Sequence, residues 1–127
     1  MTPDNPEWGT EGGKDTYDYV YLLSAQETLQ YFGDNEFVDD EIGYRNERSY
    51  TQPTDYTKSI GVWNGVYPAK WDYPNCTYWL RTPGMGTNWA AYINSTGTLM
   101  MGMSSYVTGW LSIRPCMWID LSTAEIQ

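Results

Sequence analysis

The sequence has 127 residues, 41% of them hydrophobic, which suffices for one folded domain with a single core. Its formal net charge is −9, from 16 acidic and 7 basic residues, so it lacks the basic surface that binding to nucleic acid phosphates requires. Histidine is absent, which excludes Ser-His-Asp and Cys-His catalytic arrangements and imidazole ligands for zinc or iron.

The charges are unevenly distributed along the chain. Thirteen of the 16 acidic residues precede Tyr56, whereas none lies between Cys76 and Ile119. The acidic half is expected to form a solvated, solubilising face. The apolar runs are too short to span a bilayer, so no direct membrane insertion is expected.

The first 16 residues are predicted to be a flexible linker or N-terminal extension, because Pro and Gly recur there among polar residues. The remaining residues, 17–127, are predicted to form a single domain of a longer chain. Residues Tyr17–Leu23 have the composition of a β-strand.

A helix is predicted immediately after this run. Ser24 and Glu27 have the spacing of an S-x-x-E capping box, and the helix should continue to about Phe32 before Gly33 ends it. Leu29 and Phe32 are expected to face the core.

The acidic segment Asp34–Tyr44 is predicted to be a loop. Its Asp39-Asp40-Glu41 run offers oxygen ligands for calcium but lacks the spacing of a dedicated calcium loop, so solvated charge is the favoured interpretation, with no metal or cofactor expected. A second short helix follows, with Thr54 as its N-cap, Asp55 in its first turn and Gly61 after its end.

Short strands separated by turns are predicted for the C-terminal half. Asn94–Gly97 has the composition of a hairpin turn. The order of strand, two helices and a run of strands is typical of an α+β fold, in which we expect the first and last strands to pair. The predicted strands are Thr77–Arg81, Ala90–Asn94, Thr98–Met101 and Ser112–Leu121.

Two short motifs, each containing an arginine, frame this half of the chain. They are Trp79–Gly84 and Ile113–Trp118, called here the front and back cassettes. Arg81 and Arg114 are predicted to brace the backbone rather than to bind an anion or act in catalysis, because a planar guanidinium has five donors. The tryptophans Trp71, Trp79 and Trp118 are predicted to be in the core.

The segment between the cassettes is rich in Tyr, Trp, Met, Asn and small residues. Strand alternation would turn Ile93, Leu99, Val107 and Ile113 inward and leave many of the others outward. Such residues are enriched in interfaces, although a glycine-rich region with buried aromatic rings is the alternative. The candidate ligand-binding residues are Met85, Asn88, Trp89, Tyr92, Asn94, Thr98, Met100, Met101, Met103, Tyr106 and Trp110.

The two cysteines, Cys76 and Cys116, adjoin or lie within the cassettes. If the cassettes occupy neighbouring strands, the two sulfurs could form a disulfide that stabilises the fold by roughly 3–4 kcal/mol. The alternative is two buried thiols. The sequence leaves both open.

Several motifs resemble an uncharacterised bacterial and phage domain family with WLRSPG and VRPALW signatures. The matching residues include Tyr21–Ser24, the two cassettes, and Arg48, Thr54 and Tyr56, over about Tyr17 to Leu121. Thr82 replaces the usual Ser and Cys116 the usual Ala. The resemblance implies a C-type-lectin-like fold of the branch that includes formylglycine-generating enzymes and retroelement-diversified variable proteins, with two short helices on small antiparallel sheets and a long, loop-rich C-terminal half.

These observations lead to a hypothesis of a non-enzymatic ligand-binding module. It would bind a protein or glycan on a cell surface, as a receptor-binding or adhesion domain on a virion or bacterial surface, with residues diversified by a retroelement. An enzyme of the formylglycine-generating type and a structural accessory domain of a surface protein are the alternatives.

Overall fold

The structure, a computed structural model, describes residues 3–38, 43–60, 75–106 and 111–122, with the backbone alone for residues 37, 38, 43 and 102–106. The architecture is α+β, as predicted. Its elements in chain order are α1 (Ala25–Phe32), β1 (Glu36–Val38), β2 (Gly43–Arg45), a 3₁₀ turn (Glu47–Ser49), α2 (Asp55–Ser59), β3 (Tyr78–Pro83), β4 (Trp89–Ile93) and β5 (Leu99–Tyr106).

Helix α1 begins at the predicted capping box. The Ser24 hydroxyl accepts a hydrogen bond from the Glu27 N–H at 3.1 Å, and Glu27 Oε2 accepts one from the Ser24 N–H at 2.8 Å. Gly33 ends the helix with φ +79°, and its N–H donates to the Leu29 carbonyl. The predicted start and end of this helix are therefore confirmed.

The face that α1 turns inward differs in part from the prediction. Ala25 and Thr28 are buried, and Phe32 packs against the core, whereas Leu29 is 40% exposed. The Ala25 N–H donates to Thr82 Oγ1 of β3 at 2.9 Å, which fixes the rotation of the helix and directs the 25/28/32 stripe at the sheet. Leu29 lies beside that stripe, so its assignment to the core is wrong.

The central sheet is antiparallel, in the order β3-β4-β5. Along β3 buried and half-buried residues alternate, with Tyr78, Leu80 and Thr82 turned inward. The prediction of three strands here is confirmed, although β5 extends to Tyr106, further than expected.

The hairpin turn between β4 and β5 is also confirmed. Asn94 Oδ1 accepts hydrogen bonds from the N–H groups of Thr96 and Thr98, at 3.1 and 2.9 Å. Gly97 has φ +77°, a conformation that favours glycine. The turn thus depends on one asparagine side chain and one glycine backbone.

A second, two-stranded sheet occupies the segment predicted to be a loop. β1 and β2 pair antiparallel, with Phe37 opposite Tyr44. The acidic run Asp39-Asp40-Glu41 made the whole segment look like a loop, although β-type residues stand on either side of that run. The calcium alternative for Asp39-Asp40-Glu41 lies outside the described residues.

The first and last predicted strands meet at a single position. Tyr21 and Cys116 exchange two backbone hydrogen bonds, at 2.9 and 2.8 Å, so their predicted pairing is confirmed. The extended strands predicted over Tyr17–Leu23 and Ser112–Leu121 are wrong, because the described residues of these segments pair at isolated bridges and not along a ladder. Pro115, which has no N–H to donate, directly precedes the bridge.

The core lies where α1 meets the central sheet. Ile93 is buried and Leu99 packs against the core, as expected, whereas Ile113 and Trp118 are exposed and their core assignment is wrong. Both belong to the segment that pairs only at isolated bridges, where strand alternation does not apply. Trp79 is half-buried, and Val107 and Trp71 lie outside the described residues. The buried cluster is Leu23, Ala25, Tyr78, Leu80, Ala91 and Ile93.

The N-terminal segment is attached to the domain through Asn5. Asn5 is 1% exposed, and its Nδ2 donates to the carbonyls of Pro83 at 2.8 Å and Gly84 at 3.3 Å. Its Oδ1 accepts from the N–H groups of Glu7 and Trp8. At least this part of the predicted linker is packed on the end of β3.

Helix α2 starts as predicted. Thr54 Oγ1 accepts a hydrogen bond from the Thr57 N–H at 3.2 Å. The helix ends at Ser59, with Ile60 as its C-cap, and Gly61 lies outside the described residues. Among the described helices, none combines the length and the hydropathy that crossing a bilayer requires.

Candidate ligand-binding surface

Arg81 of the front cassette is half-buried and has intramolecular hydrogen-bond partners. Its Nη1 donates to the Leu22 carbonyl at 2.8 Å and to Glu27 Oε2 at 2.5 Å, and its Nη2 donates to Glu27 Oε1 at 3.0 Å. Burial alone would raise the pKa of Glu27, but the hydrogen bonds from Arg81 and the Ser24 backbone outweigh burial and lower that pKa. Arg81 therefore braces α1 against β3, as predicted.

Arg114 of the back cassette also braces the fold. Its Nη1 donates to the Tyr78 hydroxyl at 3.2 Å, and its guanidinium carbon lies 4.9 Å from the centre of the Phe32 ring. The Tyr78 hydroxyl in turn donates to the Ser49 carbonyl at 2.9 Å. Burial raises the pKa of Tyr78, and Arg114 partly offsets that rise. Both cassette arginines thus have intramolecular partners.

Trp79 of the front cassette and Ser112, which precedes the back cassette, lie close together, as expected. The Trp79 N–H donates to the Ser112 carbonyl at 3.0 Å, and the Ser112 N–H donates to the Thr77 carbonyl at 3.1 Å. Residue 112 therefore pairs parallel to β3 at its bridge with Tyr78. The front cassette thus lies largely within the edge strand β3, and Ser112 pairs with that strand.

The two cysteines are free thiols, so the disulfide is absent from the structure. Cys76 Sγ is buried 3.3 Å from the Thr51 carbonyl and 3.2 Å from Ser112 Oγ. Cys116 Sγ lies 3.8 Å from the Arg114 carbonyl. Because Cys116 pairs with Tyr21 while Cys76 lies beside Ser112, each sulfur is held at a different bridge.

Several of the eleven candidate binding residues contribute to the fold itself. Asn94 forms the β4–β5 turn, and Thr98 Oγ1 donates to the Tyr44 carbonyl of β2 at 3.0 Å. Tyr92 is only 7% exposed, so the expectation that its ring points outward is wrong. Ala91, Tyr92 and Ile93 are all buried, so both faces of β4 are covered here and the one-sided burial that the prediction assumed does not apply.

Two methionines of β5 line a groove on the surface. The groove has a volume of about 490 Å³. Its apolar walls are formed by Leu29 of α1 and by Leu99, Met100 and Met101 of β5, and its polar rim by Glu7, Asp34 and Asn35. We call these seven residues the methionine groove.

The sequence indicated only the β5 side of this groove. Met100 and Met101 were among the predicted binding residues, but Leu29 was assigned to the core and the three rim residues were not recognised. Asn35 joins the two sides, because its Oδ1 accepts a hydrogen bond from the Leu99 N–H at 3.2 Å. A contact over 64 positions of sequence leaves no periodic signal that could have predicted it.

The remaining candidate binding residues either do not line the groove or have side chains that the structure does not describe. Met85 and Asn88 are exposed in the β3–β4 connection, and Trp89 is half-buried at the start of β4. Met103 and Tyr106 are described by their backbone alone, and Trp110 lies outside the described residues. Among the residues that the structure describes, no group of three or more Cys, Asp or Glu side chains is placed to hold a metal ion.

Comparison with known proteins gives one match. The model of a family described as a domain of unknown function (DUF6273) matches residues 1–121. No curated protein and no solved structure matches the chain.

Proposed function

Because the chain belongs to DUF6273, a family of unknown function, we propose its role from its own surface: a non-enzymatic ligand-binding module. The observation that carries this proposal is the methionine groove. It brings exposed Leu29 and half-buried Met100 and Met101 together with Glu7 and Asp34, while Arg81 and Arg114, the charged groups of the cassettes, have intramolecular partners.

The chemistry of the groove suits a protein ligand. Methionine side chains adapt their shape to irregular apolar surfaces, and methionine is enriched in interfaces. The two carboxylates on the rim, Glu7 and Asp34, favour a partner with basic residues around an apolar side chain. A glycan is less suited, because the described residues of the lining include no aromatic ring on which a sugar could stack.

We further propose a C-type-lectin-like arrangement for this domain, with a receptor-binding or adhesion role on a virion or bacterial surface. What supports it is that the front cassette lies in β3, next to β4 in the sheet whose strands β4 and β5 carry the candidate residues, and that Ser112, just before the back cassette, pairs with β3. In retroelement-diversified relatives of this kind, Met85, Asn88 and Met100 would be the positions to vary.

An enzyme of the formylglycine-generating type remains the alternative and would depend on reactive cysteines. Burial raises the pKa of the Cys116 thiol, with Arg114 partly offsetting it, and a raised pKa lowers the thiolate fraction at neutral pH. This feature does not favour the enzyme. A structural accessory domain would require no groove at all.

Selection from a random peptide library tests the proposal. Peptides selected on the parent domain should bind the Leu29→Lys variant at least tenfold more weakly, because the added amine fills the groove with a hydrated charge. The matched control is Tyr56→Lys, at an exposed position of α2 outside the groove, which should retain the affinity of the parent. Peptides that bind all three proteins equally would contradict the proposal.

A further inference from the structure

A second depression lies next to the bridge between Tyr21 and Cys116. This cleft has a volume of about 560 Å³, and its lining includes three aromatic rings, of Tyr17, Tyr21 and Trp118, and three charged side chains, of Asp18, Glu27 and Arg81. None of the described residues that line it belongs to the methionine groove. Arg81 comes from the front cassette and Trp118 from the back cassette, but the sequence assigned these two residues to bracing and to the core, not to a ligand site.

The aromatic rings of this cleft are conspicuously open to solvent. Tyr17 is fully exposed and Trp118 is 79% exposed, although both line the same cleft. They come from opposite ends of the chain, and the Tyr21–Cys116 bridge brings those ends together. Such large exposed rings contribute little to folding, and they provide flat π surfaces for a ligand.

Of the three charged side chains in the cleft, Arg81 and Glu27 neutralise each other, and the carboxylate of Asp18 remains. The two terminal nitrogens of Arg81 donate to Glu27 and to the Leu22 carbonyl, which compensates that cation. Asp18 contributes a further carboxylate, whose Oδ2 accepts a hydrogen bond from Thr16 Oγ1 at 2.5 Å. The chain as a whole has a net charge of −9, which attracts cations to such a site.

One cation already lies against an aromatic ring in this cleft. The Arg81 guanidinium carbon is 5.5 Å from the centre of the Tyr21 ring, within the range of a cation–π contact. The same chemistry is available to a ligand at the exposed rings of Tyr17 and Trp118, with Asp18 next to them in the lining.

We propose that this cleft binds a quaternary ammonium group between the rings of Tyr17 and Trp118, with Asp18 supplying the opposite charge. A quaternary ammonium group donates no conventional hydrogen bond and needs only π faces and negative charge, which are the groups that the cleft offers. A sugar would have to use the neutral donors of the Tyr hydroxyls and the Trp118 indole, because Arg81, the charged donor of the cleft, is already bound to Glu27.

Titration with choline, followed by tryptophan fluorescence and calorimetry, tests this proposal. We expect saturable binding that weakens at least tenfold in Trp118→Ala and in Tyr17→Ala, and severalfold in Asp18→Asn. The neutral analogue of choline, 3,3-dimethylbutan-1-ol, has the same shape without the charge and should bind at least tenfold more weakly. Trimethyllysine amide, titrated alongside, distinguishes a small-molecule source of the group from a peptide-borne one.

Two control variants remove similar rings elsewhere. Trp8→Ala and Tyr56→Ala alter exposed residues outside the cleft lining and should bind choline as the parent does. The proposal is overturned if neither choline nor trimethyllysine amide binds saturably, or if the neutral analogue binds equally well. Tighter binding of a methyl glycoside, lost in Trp118→Ala, would also overturn it and assign the cleft to sugars.

Discussion

Arg81 and Glu27 form a two-pronged ion pair between β3 and α1, with Nη2 donating to Oε1 at 3.0 Å and Nη1 to Oε2 at 2.5 Å. The same carboxylate accepts the Ser24 N–H at the start of α1. Glu27 therefore belongs at once to a helix cap and to a contact between helix and sheet. Losing its charge should affect both.

The first prediction concerns stability at low pH. The folded state lowers the pKa of Glu27, so its contribution to the free energy of unfolding is complete above the unfolded value of about 4.3 and is lost as pH falls through the folded pKa. Glu27→Gln should destabilise the domain by about 1–3 kcal/mol at pH 7 and by much less at pH 3. Urea unfolding at the two pH values measures this.

The matched control is Glu11→Gln, an exposed acid in the N-terminal segment. It should change the free energy of unfolding by no more than about 0.5 kcal/mol at either pH. A loss for Glu27→Gln that is the same at pH 3 and pH 7 would contradict the role assigned to its charge.

The second prediction concerns the turn between β4 and β5. A Cβ added at Gly97 would lie 2.0 Å from the Asn46 carbonyl oxygen, and the φ of +77° is itself unfavourable for alanine. Gly97→Ala should therefore destabilise the domain by more than about 3 kcal/mol or prevent folding.

Gly13→Ala separates these two causes. Gly13 has φ +88°, but nothing lies within 4 Å of the Cβ that would be added, so only the backbone cost of about 1–2 kcal/mol applies. Thermal unfolding of both variants measures the difference. Equal losses of stability would refute the close packing of Gly97 on Asn46.

The third prediction concerns the attachment of the N-terminal segment. Asn5→Asp keeps the acceptor for Glu7 and Trp8 but removes the donor to the Pro83 and Gly84 carbonyls, and it places a charge at a buried position. We expect a loss of about 1–3 kcal/mol and faster proteolysis between residues 7 and 16. If the cleavage rate of this segment stays that of the parent, Asn5 does not anchor it.

The fourth prediction contrasts two neighbouring candidate residues. Tyr92→Ala should cost about 3 kcal/mol or more, because it removes a buried ring, whereas exposed Asn88→Ala should cost no more than about 0.5 kcal/mol. Chemical denaturation of the two variants measures both changes. A Tyr92→Ala variant as stable as the parent would restore the outward orientation that the sequence suggested.

The elements with local signals were predictable from the sequence. The α1 capping box, the Thr54 cap of α2 and the Asn94–Gly97 turn each depend on residues within a few positions of one another, and each is present in the structure. The β1–β2 hairpin was missed because the acidic residues near it favoured a loop. The β-type run Tyr17–Leu23 was mistaken for a strand because its composition does not reveal that, among its residues, Tyr21 alone forms a β-bridge.

The candidate site was less predictable than the fold. The β5 methionines were recognised by composition, but Tyr92 is buried because both faces of β4 are covered, and the second wall of the groove comes from Leu29, far away in sequence. The aromatic cleft combines Tyr17 and Trp118, separated by a hundred positions. Contacts over such separations are set by tertiary packing, and the helix and strand periodicities of a single sequence do not predict them.

The bridge between Tyr21 and Cys116 has a consequence for protein engineering. Because these two positions are adjacent, the body of the domain between them begins and ends at nearly the same point in space. A segment with this geometry can replace a surface loop of a host protein without separating the strands on either side of the insertion. The same adjacency permits circular permutation, with a short linker joining the two ends and new termini opened in an exposed turn such as that between β3 and β4.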